Sequence, residues 1–193
     1  MIRRLVFYIR AIHFFVRNKY RYRKLCLSAL IQRPLRIDGR KYISIYKNVI
    51  IQQYSWLFAL AIDEHEPELI IHEGCQLGNY NHIAAVRKVV IGKNVLTADN
   101  VYISDNLHSY EDIDIPIMHQ PVKFKSEVYI GDGSWLGVNV CVIGAKIGKN
   151  CVIGANAVVT TDIPDYCVAV GAPAKVLKRF NQQTKTWELV DHG

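Results

Sequence analysis

The feature that most restricts what this chain can fold into is a period of six. Ile91, Thr97 and Ile103 lie six residues apart, as do Ile130, Leu136 and Val142, and again Ile147, Ile153 and Val159. All are aliphatic but Thr97, and each except Val142 is followed by a small residue: Gly92, Ala98, Ser104, Gly131, Gly137, Gly148, Gly154 or Thr160. Such a period fits neither a 3.6-residue helix nor a two-residue alternation closing in hairpins. It fits a solenoid, in which a short strand points one aliphatic inward and a corner follows where a small residue avoids a clash. Stacked coils then bury a continuous aliphatic column. Weaker copies at Ile37, Ile43 and Val49 and at Ile71, Leu77 and Ile83 predict that the repeat begins near residue 35. The register slips by two between Ile83 and Ile91 and shortens by one between Val142 and Ile147, as a coil bulging at one corner would require.

The segment before the repeat has a different character. Ile2, Leu5, Val6, Ile9, His13 and Val16 recur every three or four residues with arginines between them, which predicts an amphipathic helix. Pro34 and the Asp38-Gly39 turn signal end that pattern, so residues 1–34 are read as a helical arm, 35–180 as the solenoid and 181–193 as a tail. The arm is where the charge sits. Lys and Arg outnumber Asp and Glu by 24 to 17, yet residues 1–36 hold ten basic side chains and no acidic one. That distribution argues against a nucleic-acid-binding surface and for a local contact with an anionic partner. Its apolar runs, broken by Arg10 and Arg17, are too short for a membrane span. With Phe7, Tyr8, Phe14 and Phe15 adding to its apolar stripe, the arm is expected either to lie on a membrane surface, its cations meeting anionic lipid, or to pack on its own solenoid or in an oligomer. Five cysteines, an odd number without a C-x-x-C pair and mostly set among apolar residues, fit a reducing cytoplasm.

The repeat breaks with force between Ile103 and Ile130, so residues 104–128 are expected to form a long loop. Solenoid insertions cluster on one face, and functional groups concentrate on such loops. His108 stands near the start of this one. An imidazole with an ordinary pKa near 6.5 is largely free to accept a proton at about pH 7, which suits a general base.

The run SDNLHSYEDIDIPIMHQPV, the following VYIGDGSWLG and the closing VIGANAVVTTDIPDYCVAVGAPAKVLK resemble the hexapeptide-repeat acetyltransferases, above all sugar and polysaccharide O-acetyltransferases of the galactoside and maltose type. The resemblance is clear over residues 71–179. It implies an all-β fold, a left-handed parallel β-helix with an amino-terminal helical arm, and transfer of an acetyl group from acetyl-CoA to a saccharide hydroxyl. His108 matches the catalytic base of that family. Asn79 matches the asparagine that contacts the acceptor, with Asn81 close enough to compete. Trp135 matches a tryptophan near the thiol end of the cosubstrate, and Val138 a backbone N–H facing the oxyanion. Gly137, Ala155 and Thr160 are implied along the pantetheine arm and Lys175 near the phosphates. Thr161 stands where relatives often have Lys, which shifts weight onto Lys175, Lys178 or Arg179. Corner packing for Trp135, turn roles for the asparagines and plain solvation for the three cations are the alternatives.

The same resemblance implies a homotrimer with each site between two subunits. A xenobiotic O-acetyltransferase, a sugar N-acetyltransferase and an inactive scaffold are the other readings of such a chain. His65, His72, His82 and His119 raise the γ-class carbonic anhydrases, which bind zinc on a similar solenoid, but the close histidine pair of that class is missing, so no metal is expected.

Overall fold

The structure, a computed structural model, describes residues 2–191, with side chains from residue 6 onward. Three parallel sheets wrap one core. Leaving aside the hairpin of the long loop and the carboxy-terminal strands, each strand pairs with those three earlier and three later in chain order, which is the topology of a three-faced solenoid. Face 1 carries Ile43–Ile45, Glu68–Ile71, Lys88–Ile91, Val128–Ile130 and Lys146–Ile147 above Lys24–Leu25. Face 2 carries the strands around Ile31, Ile51, Leu77, Thr97, Leu136 and Ile153, and face 3 those around Ile37, Leu57, Ile83, Ile103, Val142 and Val159. These make six coils.

Register explains the period. Ile45 sits over Ile71 on face 1, Ile51 over Leu77 on face 2 and Leu57 over Ile83 on face 3, and all six are essentially sealed from solvent. The early repeat is thus Leu25, Ile31, Ile37 and then Ile45, Ile51, Leu57, not the Ile37, Ile43, Val49 frame read from sequence. Ile43 and Val49 are nevertheless fully buried. Alternation along a short strand sends residues two apart to the same side, so each hexad has two inward positions and either can be mistaken for the period. The second position tolerates polar groups that find partners. Ser134 Oγ donates to the Gly148 carbonyl at 2.8 Å, and Asn81 Nδ2 donates to Thr97 Oγ1 at 2.6 Å, which accounts for the one non-aliphatic residue of the main column.

Corners need left-handed backbone. At the corner between faces 1 and 2 the residues with positive φ include Asn48, Gly74, Asn94, Gly133 and Asn150, and between faces 2 and 3 they are Arg33, Tyr54, Tyr80, Asn100, Asn139 and Asn156. Asn recurs because its short amide tolerates this region better than other side chains. Small residues have a separate cause: a Cβ on Gly131 would collide with the backbone of Gly148 in the next coil.

The ends depart from the sequence reading. The helix spans Ile2–Asn18 and stops well short of residue 34, because Lys24 already pairs with Ser44 and Leu30 with Ile50 as the first coil. It closes the open end of the solenoid with Ala11, Phe14 and Phe15, Ala11 being fully buried. The expected apolar stripe packs only in part: Phe14 and Phe15 face the core, whereas Val6, Tyr8, Ile9, His13 and Val16 are exposed, and Ile2 and Leu5 lie outside the described side chains. The expected tail is instead half of a hairpin. Lys175–Asn181 runs antiparallel to Cys167–Val170 and to Thr186–Leu189, extending face 2 over its last coil; His192 and Gly193 lie outside the described residues. Among the described residues no helix is long and apolar enough to cross a membrane.

A second, shorter excursion, missed in the sequence, separates Ala59 from Glu68. It leaves from the same corner, between faces 3 and 1, as the long loop.

Candidate active site

The long loop is mounted before it is functional. Asp105, 0% exposed, accepts the backbone N–H groups of Val86 (2.9 Å), Arg87 and Lys88 (both 2.8 Å) and the Asn106 amide at 2.9 Å. A carboxylate closed off from water is tolerated only with such a full set of donors. On the returning leg Lys125 Nζ donates to the Ile143 carbonyl at 2.7 Å and Ser126 Oγ to that of Gly144 at 2.6 Å. Between these anchors Asn106–His108 pairs antiparallel with Val122–Phe124, His108 opposite Val122. The Gln120 amide donates to the carbonyls of Asp112 and Ile115, which staples the tip.

The shorter excursion braces the mount. Asp63 accepts from Arg87 at 2.7 Å, and the Arg87 guanidinium lies 4.8 Å from the Phe124 ring centroid. The hydrogen bond from Arg87, with that from the His65 backbone, pulls the Asp63 carboxyl down to about 2. His108 itself is exposed, and among the described residues its ring has no hydrogen-bond partner. A reactant can therefore meet it directly.

The other candidates occupy a different corner. Successive coils place Asn79, Asp99, Val138 and Ala155 in a column between faces 2 and 3. Gly137 belongs there for packing: a Cβ would stand 2.8 Å from the Ala155 nitrogen. Trp135 is 47% and Val138 38% exposed, and the Val138 N–H meets no acceptor among the described residues. The Gly171–Ala174 turn lies on Val158 through the Val158 N–H to the Gly171 carbonyl (3.0 Å) and the Ala174 N–H to the Val158 carbonyl (2.8 Å), so exposed Lys175 tops this side.

Asn79 and Asn81 separate cleanly. Asn81 is buried inside the coil and accepts the Val101 N–H. Asn79 faces outward, although its amide is engaged: Nδ2 donates to Asp99 at 3.1 Å, and Oδ1 accepts the Gln53 N–H at 3.2 Å. Thr160 is exposed on the loop's corner, its carbonyl 3.5 Å from Lys125 Nζ, and so stands apart from Gly137 and Ala155.

One chain thus gathers Asn79, Gly137, Val138 and Ala155 at one corner, with Trp135 and Lys175 on the adjoining face 2, and His108 with Thr160 at the next. Asp105 and Lys125 were missed as contributors, although Asp105 opens the very segment that breaks the repeat. Among the described residues the one candidate cation cluster is the exposed set Asp63, Glu64 and His65, away from His108 in chain order and already committed to Arg87 through Asp63.

Comparison with known proteins agrees with this architecture. Residues 127–161 match the family of the hexapeptide repeat of succinyl-transferase. A probable acetyltransferase of Mycobacterium tuberculosis is 46% identical over 66% of this chain, and a putative lipopolysaccharide biosynthesis O-acetyl transferase of Escherichia coli 39% identical over 62%. The chain spans only 41% and 65% of those relatives' lengths. A galactoside O-acetyltransferase of Lactococcus lactis is 36% identical over 54% of the chain and 49% of its own length. Among solved structures, the N-acyltransferase AntD from Bacillus cereus, in complex with dTDP and 3-hydroxybutyryl-CoA, shares the fold with a TM-score of 0.71 at 16% identity, covering 88% of this chain and 89% of its own. Part of the chain carries the hexapeptide repeat, and the relatives that it resembles are acetyltransferases of the same repeat fold.

Proposed function

We propose that the protein is an acetyl-CoA-dependent O-acetyltransferase acting on a saccharide hydroxyl, with the solenoid wound left-handed as in the family it resembles. The observation that carries this reading is His108, held at the rim of a hairpin whose base is locked by buried Asp105 and whose ring is unpartnered. Acetyl-CoA supplies the acyl group as an activated thioester. His108 takes the proton of the acceptor hydroxyl as its oxygen bonds to the acyl carbon. The unengaged Val138 N–H donates to the acyl oxygen as charge gathers there. When the carbon–sulfur bond breaks, the imidazolium returns its proton to the departing sulfur, so the histidine ends as it began.

The two corners also support the homotrimer. Face 3 lies between them, so turning it toward a three-fold axis brings the His108 hairpin of one protomer to the Val138–Ala155 corner of the next. Its outward side suits an interface: Trp56 stacks on His82 with centroids 4.2 Å apart, and Tyr102 meets His82 edge-on. Along the joined groove Gly137, Val138 and Ala155 would hold the pantetheine arm, and Lys175 the phosphate end. The thiols, all free, fit a cytoplasmic site of action, and the helix's exposed Ile9, Ile12 and Val16 are compatible with peripheral contact at a membrane.

His108→Ala is the direct test. Turnover is expected to fall by about 10²-fold or more with acetyl-CoA affinity held within a few-fold. Mass spectrometry of acetyl transfer to sugars and amino sugars reads both the rate and the atom acylated. Unchanged turnover would remove His108 from the mechanism, and acylation of amines alone would replace the O-transferase reading by an N-transferase.

A further inference from the structure

The basic amino-terminal segment has a structural use that the sequence does not announce. Between the helix and the first coil lies an open groove of about 720 Å³, lined on the helix side by Ile9, Arg10, His13, Phe14 and Arg17 and on the coil side by Arg33, with Gln32 and Gln53 beside it. No acidic side chain lines it. Among the described residues neither the Arg10 nor the Arg33 guanidinium has an ion-pair or hydrogen-bond partner, and Arg17 meets only His13, at 3.5 Å. Three exposed guanidiniums that line one groove with no acidic side chain beside them favour an anion between them, and their planar forks match phosphate oxygens.

The groove also has an address. Arg33 occupies the first coil of the corner that carries Gln53, Asn79, Val138 and Ala155 in later coils, and the Gln53 N–H donates to Asn79 itself. We propose that this groove binds the phosphate or diphosphate of a glycosyl ligand whose sugar part extends along that corner. Val138 stands four coils above Arg33, roughly 20 Å at the spacing of adjacent strands. A ligand reaching both is longer than a free monosaccharide: an oligosaccharide carrying a phosphoryl group at one end. The anion site stands on the groove alone, whereas its assignment to the acetyl acceptor rests on the transferase reading above.

Inorganic pyrophosphate, titrated calorimetrically into the full chain, tests the site without any turnover. Binding should weaken as salt rises, and Arg10→Gln with Arg33→Asn should weaken it at least about tenfold while acetyl-CoA affinity and thermal unfolding stay unchanged. Asn suits position 33, whose φ is 41°. Co-sedimentation with phosphatidylglycerol vesicles in a phosphatidylcholine background separates the sources. Vesicle binding that pyrophosphate displaces identifies a lipid-borne phosphate, and pyrophosphate binding without vesicle binding identifies a soluble one. Failure to bind pyrophosphate, or equal binding by the double variant, overturns the proposal, even if vesicles bind through the exposed helix face. Loss of acetyl-CoA binding with pyrophosphate binding intact would instead count against the transferase reading alone.

Discussion

Asp105 shows how one buried side chain decides what another can do. Its oxygens collect three backbone N–H groups from the preceding turn and so fix the direction in which the His108 strand leaves the solenoid. Asp105→Ala strands those donors where water does not reach, and should cost on the order of 3 kcal/mol in urea unfolding. Turnover should fall with acetyl-CoA affinity retained, the split expected of a positioning residue; full activity would show that the hairpin holds itself. His82 makes a different demand. Burial beside Trp56 and Tyr102 holds its ring below the ordinary imidazole range, so the folded protein keeps it neutral. As pH falls through about 6.5 the unfolded chain takes up a proton that the folded chain refuses, and stability is lost until the lower folded value is passed. Wild type should therefore lose more melting temperature than His82→Phe between about pH 7 and about pH 5, and equal losses would place the acid sensitivity elsewhere.

Among the elements, the corners carry the strictest stereochemistry. Asn94 has φ 54°, its side-chain oxygen close to Gly74 of the coil beneath, in a column that alternates Asn with Gly. Asn94→Ala should destabilise by about 1–2 kcal/mol, whereas Asn94→Gly should cost clearly less, because only the former forces a Cβ into the left-handed region. Equal effects in denaturant titrations would mean that hydrogen bonding rather than backbone strain selects Asn there. The tyrosines at the equivalent turns of the next corner, Tyr54 and Tyr80, stack at 5.2 Å, a contact that offsets part of the same strain.

For the whole molecule, the separation of the two corners makes assembly testable through activity. In the proposed homotrimer Ala155→Glu should block the groove and His108→Ala should remove the proposed base, so each variant alone should be nearly inactive. Trimers reassembled from equal amounts of both should regain about one intact site in four, since a wild-type hairpin then meets a wild-type corner from its neighbour. No recovery, with mixed trimers demonstrated by mass spectrometry, would place the whole site within one protomer.

The six-residue spacing alone determined the solenoid and most of its core, because each hexad repeats one local requirement: an inward aliphatic followed by a residue small enough for the corner. The loop that carries His108 was legible for a related reason, since a break in so regular a pattern marks an excursion. The frame of the first coils was not legible, as two inward positions per hexad make Ile43 and Ile45 equally plausible from sequence. Nor was the place of Ala11, which the open end of the solenoid buries with Phe14 and Phe15 while Ile9, His13 and Val16 of the periodic stripe stay exposed. Only the tertiary structure buried Asn81 and left Asn79 facing outward, set Thr160 apart from Gly137 and put His108 and Val138 on different corners. Those are relations between coils, and a sequence records spacing along the chain but not which coil comes to rest on which.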